Sequence, residues 1–320
     1  MFGESDSSNS NVAKDIPVDS TVPPTGFYSN AKLSINEVDF PDYEIVRLIG
    51  AGGMGQVFEA REKESGRQVA LKLLTANVEQ DQESVDRFLR EGQLAAQLSH
   101  PRSTFIYVAG VNNGKPYIAM ELMPGRTLQD EIDQFGAMPV NRAVDYILDV
   151  IDGLAAAHEI GVIHRDVKPS NCFLDAAGRV KIGDFGLSKS LEGDLNLTKT
   201  GTFMGTPSYS SPEQVRGSLI GAQTDIYSVG ATLFTLLTGR MPYEGDAMSV
   251  TAQIISEPPR VPSKFASNIP AELIRSSSRR WRKPLTNVFR ISSHCEFRCF
   301  PCKPRIIAGA TRATFGRFYV

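Results

Sequence analysis

Eight consecutive residues, His164-Arg165-Asp166-Val167-Lys168-Pro169-Ser170-Asn171, put an acid, a cation and a carboxamide on one short loop. Asp166 can take a proton from a hydroxyl. Lys168 can offset charge on a phosphate in flight, and Asn171 can hold a metal ion. Phosphoryl transfer depends on positioning and charge stabilisation, and this trio suits it. One short motif can arise by chance, so the constraint lies in whether matching partners follow in a workable order.

They do. Asp184-Phe185-Gly186 stands downstream, preceded by the alternation Val180-Lys181-Ile182, which reads as a short strand ending in a turn. Asp-x-Gly alone is an ordinary turn signal; after the 164–171 loop it becomes a carboxylate suited to Mg²⁺. Upstream lies Gly50-Ala51-Gly52-Gly53-Met54-Gly55-Gln56-Val57. Such glycines also occur in dinucleotide sites, but those need a helix straight afterwards. Here residues 43–49 and 56–61 both alternate polar and apolar, so the glycines cap a hairpin. Their backbone can fold over phosphates without side chains in the way.

Lys72 lies inside the apolar run Val69-Ala70-Leu71-Lys72-Leu73-Leu74. A lysine snorkelling from an edge strand is the common alternative to a buried phosphate-binding cation. The buried reading needs a carboxylate. Residues 78–98 have helical periodicity, with Val85, Phe88, Leu89, Ala95 and Ala96 on one stripe. Glu91 falls on that stripe, where a charge is costly unless paired. An exposed pair with Arg87 is its ordinary alternative; a Lys72–Glu91 pair is preferred.

In combination and order, these motifs resemble the protein kinases. Lys168-Pro169 resembles the serine/threonine branch. Thr224-Asp225-Ile226-Tyr227-Ser228 and the wording of residues 87–91 resemble bacterial kinases of the eukaryotic-like, Hanks type. The likeness covers residues 43–270. It implies an α+β, two-lobed fold: a small antiparallel β lobe with one helix, and a larger, mainly α lobe. It implies ATP between the lobes, with Mg²⁺ (Mn²⁺ as an alternative) held by Asp184 and Asn171. Catalysis would fall to Asp166 and Lys168. Ile49, Gly50, Ala51, Gly52, Gly53, Met54, Gly55, Val57, Ala70, Lys72 and Glu91 would form the nucleotide site, with Val57 on the adenine ring. Met120 would be the gatekeeper, and the backbones of Glu121 and Met123 would bond the adenine edge. His164 would brace the loop against Phe185, whereas His158 has no ligand cluster in the sequence and reads as structural.

Between Asp184 and Glu213 the resemblance implies an activation loop carrying Thr198, Thr200, Thr202 and Thr206. Arg165, beside Asp166, can clamp a phosphothreonine. Autophosphorylation is therefore expected at Thr198 or Thr200. Gly205-Thr206-Pro207 would seat a serine or threonine acceptor, and Asp225 would cap the catalytic loop through backbone N–H groups. Residues 140–157 read as the buried spine helix of the large lobe. Glu213 would normally pair with an arginine in an Asp-Pro-x-x-Arg turn, which this sequence lacks. Arg279, Arg280 and Arg282 are the substitutes at hand; otherwise Glu213 is left unpaired.

The ends differ from the middle. Residues 1–40, rich in Ser, Asn, Asp, Thr and Pro, read as a disordered arm. The kinase-like part is then 41–275, divided into 41–122 and 123–275, with its far end incomplete. Residues 271–320 hold eleven Lys plus Arg and two acids, a net of +9, against −11 for the rest. Four readings of 276–320 stay open: a frameshifted end, a zinc site from His294, Cys295, Cys299 and Cys302, an iron–sulfur site, or a basic patch. No signal peptide and no run of eighteen apolar residues is found. Without a secretory signal, the four cysteines suggest reduced thiols in a cytoplasmic protein. The expected partners are ATP and protein substrates with Ser/Thr acceptors, not nucleic acid. A homodimer is compatible with autophosphorylation in trans. A pseudokinase or scaffold is the alternative, favoured by the altered large-lobe end and opposed by the full set of charged residues.

Overall fold

A computed structural model describes residues 40–51, 55–74, 81–123, 125–185, 207–266 and 269–270. Gly52, Gly53, Met54, Thr198, Thr200, Thr206 and the 271–320 tail lie outside the described residues.

Five strands make one antiparallel sheet: β1 (Tyr43–Ala51), β2 (Gly55–Glu62), β3 (Gln68–Leu74), β4 (Ile106–Asn112) and β5 (Lys115–Glu121), in the order β1-β2-β3-β5-β4. The β1–β2 ladder runs up to the Ala51–Gln56 pair, with Gly50 in β1 and Gly55 in β2. Side chains alternate across a strand, and this sorts the sheet into two faces. Phe58, Val69, Leu71, Leu73, Tyr117 and Ala119 build one core with Phe40 and Tyr43. Their neighbours Ala70, Leu74, Ile118 and Met120 pack into the other. Alternation puts Lys72 on this second face, between Ala70 and Leu74.

Helix α1 (Gln82–Ala95) covers that face; its ends fall inside the 78–98 span expected from periodicity. Val85, Phe88, Gly92 and Ala95 are its buried stripe. Gly92 allows close approach, since a Cβ there would meet Ile118 Cδ1 at 2.7 Å and the Ala109 Cβ at 2.8 Å. The second lobe is mainly helical: α2 (Leu128–Phe135), α3 (Val140–Glu159), α4 (Pro212–Val215), α5 (Ala222–Thr238) and α6 (Ala247–Ser256). A two-stranded hairpin, β6 (Cys172–Leu174) and β7 (Val180–Ile182), lies between α3 and α4 in the chain. Thr127 and Asp130 form a capping box at the start of α2. Cys172 is fully buried, as a small core side chain would be.

One expectation changes here. The spine of this lobe is α5, none of whose residues is exposed. Helix α3 keeps an outer face, with Leu148 exposed. A helix apolar on one stripe and polar on the other sits at a surface; one buried all round sits inside.

The lobes meet where residues 102–105 cross β7. Ile182 N–H donates to Arg102 O at 2.9 Å, and Thr104 N–H donates to Ile182 O at 3.0 Å. Helix α3 backs this joint through Gly153, where a Cβ would stand 2.5 Å from Arg102 O and 3.0 Å from Ile182 Cγ2. Backbone cannot move aside cheaply. Gly153→Ala is therefore expected to destabilise the fold by about 1–3 kcal/mol. Urea denaturation checks this, and an unchanged midpoint would mean that the joint has slack.

Candidate active site

The 164–171 loop is shaped by a carboxylate far away in sequence. Asp225, on the buried helix α5, is fully buried. It accepts His164 N–H at 2.9 Å, Arg165 N–H at 2.7 Å, and lies 2.7 Å from His158 Nε2. The sequence left His158 without a ligand cluster; it flanks the Asp225 anchor. Arg165 has φ of 66°, a left-handed conformation that costs a non-glycine residue about 1–3 kcal/mol. The two backbone bonds to Asp225 offset that cost, and Gln214 Nε2 adds a bond to Arg165 O at 2.7 Å.

Within the loop, Asn171 Nδ2 donates to Asp166 O at 2.8 Å and to Asp166 Oδ2 at 3.1 Å. Lys168 Nζ stands 2.7 Å from the same Oδ2. With its nitrogen on Asp166, the amide of Asn171 keeps its oxygen for a cation. Gly183 N–H donates to Asn171 O at 2.9 Å, which brings the residue before Asp184 against the loop. His164 clamps the other side: its Nε2 lies 2.9 Å from Gly183 O, and its Nδ1 accepts Asp166 N–H at 3.2 Å. The His164 and Phe185 rings are 4.7 Å apart, as expected.

Lys72 is buried and its Nζ lies 2.7 Å from Asp184 Oδ1. Desolvation by itself would raise the Asp184 carboxyl. The Lys72 ammonium outweighs it, Lys168 adds to the effect, and the net shift is downward. Asp184 also sits at a left-handed φ of 63°. The expected Lys72–Glu91 pair is not the one formed. Glu91 Oε1 meets Arg165 Nη1 at 3.2 Å, so α1 presents its acid to the 164–171 loop while Asp184 takes Lys72. Glu91 Oε2 and Arg165 Nε are buried without a hydrogen-bond partner, so this pair is incompletely satisfied. Arg87 pairs with Glu83, not Glu91.

The sheet face beside Lys72 carries the apolar residues assigned to the nucleotide. Ala70 and Met120 are buried in it, and Ile49 and Val57 pack against it. Glu121 ends β5, and its N–H donates to Phe105 O at 2.8 Å. Among the described residues, no three His, Cys, Asp or Glu side chains converge as a closed metal cage. One carboxylate and one carboxamide oxygen fit Mg²⁺, which takes few protein ligands beside phosphate and water.

Two groups escaped the sequence reading. Asp149 is buried and accepts Arg179 Nε at 2.8 Å and Val180 N–H at 3.0 Å, fixing β7 to α3. Lys181 meets Glu121 across the lobes. Both were legible by the rule that found Glu91 and Lys72, namely a charge inside an apolar pattern. Glu213, whose family arginine partner the sequence lacks, accepts the Thr224 hydroxyl at 2.9 Å. The candidate arginines at 279, 280 and 282 lie outside the described residues.

A protein kinase domain profile matches residues 43–293. The chain belongs to the protein kinase family. It is 39% identical over 236 residues to the serine/threonine-protein kinase PknB of Mycobacterium leprae, covering 72% of this chain and 38% of that protein. A probable serine/threonine-protein kinase PknB of Lactococcus lactis is also 39% identical, over 67% of this chain and 34% of that one. The chain thus spans little more than a third of the curated relatives it matches. Among solved structures, a single-substitution mutant of the PknI kinase domain of Mycobacterium tuberculosis is similar, with a TM-score of 0.63 and 28% identity, covering 79% of this chain and 92% of that one. The two-lobed α+β kinase fold is therefore the fold of this chain. Among the described residues, no helix is long and apolar enough to cross a membrane.

The hydrogen bonds at His164 require a neutral ring, with Nδ1 accepting. Burial pushes its pKa below the ordinary 6.5, outweighing the pull of Asp225 and Asp166. The folded state then binds fewer protons than the unfolded one as pH falls through 6.5, so stability present above that pH is lost below it. Between pH 7.5 and 5.5, the protein should lose more stability than its His164→Gln variant does. Equal losses in urea titrations at the two pH values would contradict this.

Proposed function

We propose that the chain transfers the γ-phosphate of ATP to serine and threonine hydroxyls of proteins, its own among them. One observation carries the reading. Asp166, Lys168, Asn171, Asp184 and Lys72, drawn from three separate stretches of sequence, converge at one cleft in alternating charge. Asp166 would orient the acceptor hydroxyl and take its proton. Lys168, 2.7 Å from that carboxylate, would offset charge on the phosphoryl group. Lys72 would exchange its contact with Asp184 for phosphate oxygens, leaving Asp184 and the oxygen of Asn171 for the cation. Mg²⁺, or Mn²⁺ in its place, supplies charge neutralisation on the phosphates when bound.

The acceptor side has support too. A groove of about 560 Å³, lined by residues including Pro207, Ser208, Arg240, Met241, Tyr243 and Val250, opens beside the segment that resembles a protein-substrate platform. Phosphorylation at Thr198 or Thr200 would give Arg165 a phosphate to hold. Its guanidinium now meets Glu91, so the same event would free Glu91 to reach Lys72. The proposed setting is cytoplasmic, and a homodimer would allow autophosphorylation in trans.

Purified protein with labelled ATP and Mg²⁺ should transfer label, and Asp166→Asn should lose at least about 100-fold in rate. Nucleotide binding without transfer would point instead to a scaffold. Mass spectrometry of the active protein should find phosphate at Thr198 or Thr200; none between residues 190 and 206 would sink that assignment.

A further inference from the structure

We infer that Lys181 and Glu121 form an interlobe tie that positions the nucleotide-binding hinge, which makes Lys181 a positioning residue for the reaction. The inference rests on the kinase reading above and assigns a role to a residue outside the catalytic set. Lys181 Nζ contacts both oxygens of Glu121, at 2.6 and 2.8 Å. The two side chains are only 13% and 23% exposed. Lys181 Nζ also lies 5.0 Å from the centre of the Phe105 ring. Phe105 closes the set: its N–H donates to Glu121 Oε2 at 3.1 Å, and its carbonyl accepts Glu121 N–H at 2.8 Å.

The location gives this cluster its meaning. Glu121 ends the strand that leads into the hinge, directly after buried Met120. Lys181 is the middle residue of β7, the strand that runs into Gly183 and Asp184. Phe105 belongs to the crossing segment whose backbone bonds β7 on one side and β5 on the other. One ion pair therefore joins the end of the adenine-side strand to the strand that delivers Asp184. Strand β7 needs no ammonium for its own ladder, which is made by backbone pairing of Phe173 with Lys181. Taking a lysine out of water is unfavourable unless a partner compensates, and such pairs commonly serve to fix one arrangement. Here the arrangement fixed is the height of the hinge over Asp184. A free carboxylate at 121, or a free ammonium at 181, would leave the hinge end of the joint to the backbone contacts of residues 102–105, while Lys72–Asp184 and Glu91–Arg165 bridge the lobes at the other end. The adenine edge and the phosphate end of the cleft would then lose their fixed separation.

The tie should show in nucleotide binding more than in turnover. In the full chain, Lys181→Met is expected to raise KM for ATP, and Kd for a non-hydrolysable ATP analogue measured by calorimetry, by about fivefold. kcat should change by less than about twofold, because no group that touches the reacting atoms is altered. Glu121→Gln should give the same shift, and the double variant should add nothing further, as expected for two halves of one interaction. Lys181→Arg, which keeps charge and reach, should restore both constants to within about twofold. A merely structural role would lower the unfolding midpoint and leave KM, Kd and their rescue untouched. Should Lys181→Met fail to fold, Glu121→Gln keeps its neighbours and reads the same quantity. Unchanged Kd in the variants, additive effects in the double variant, or a rise in kcat at constant KM would each overturn the tie. Wild-type protein that binds no ATP analogue would instead refute the kinase reading, and the tie with it.

Discussion

Asp225 is buried on α5, a long helix with no exposed residue, and it holds the 164–171 loop by two backbone N–H groups. A carboxyl group in that place is tolerable because backbone donors meet it. The consequence runs outward. Arg165 can stay left-handed, and Asn171 can reach back to close the loop on Asp166. His164 carries the same constraint to Gly183, so Asp184 arrives in register with the loop. Removing the anchor would release the strain at Arg165 and the geometry of several charged groups together.

Around this anchor the site is organised by opposite charges in contact. Lys72 sits on Asp184, Lys168 on Asp166 and Arg165 on Glu91. Each acid and base is held where a phosphate or a cation could replace one partner at little desolvation cost, since the charges are already assembled. The Glu91–Arg165 pair differs from the others. It leaves one carboxylate oxygen and one guanidinium nitrogen buried and unbonded, so it is the contact with most to gain from exchange. Lys181 and Glu121 stand apart from the chemistry and join the two lobes that present it.

Much of this could be read along the chain because the fold repeats simple periods. Alternation assigned β1 and β2, and the apolar run 69–74 marked β3 as a strand with Lys72 inside it. The 3.6-residue period placed Phe88 and Glu91 on the inner side of α1, and the glycines marked the hairpin. Where reading failed, two charged groups competed for one partner. Glu91 had two basic partners on paper, Arg87 and Lys72, and the structure gives it a third, Arg165. Sequence spacing cannot rank contacts between residues far apart in the chain. The spine helix was misassigned although composition separates the two: α3 carries Arg142, Asp145, Asp149 and Asp152, whereas Asp225 is the one charged residue of α5.

Residue order was enough to mark β1, β2, β3, β7, α1 and α3 and to pick out the candidate phosphoryl-transfer residues. These follow from local periodicity and from the scarcity of charge in apolar runs. Packing of the lobes was needed to settle which partner each charged group meets: Asp184 for Lys72, Glu91 for Arg165, Glu121 for Lys181 and Thr224 for Glu213. Coulomb attraction and hydrogen bonding act over a few ångströms in space, whatever the distance along the chain, so these choices are made only when the lobes come together.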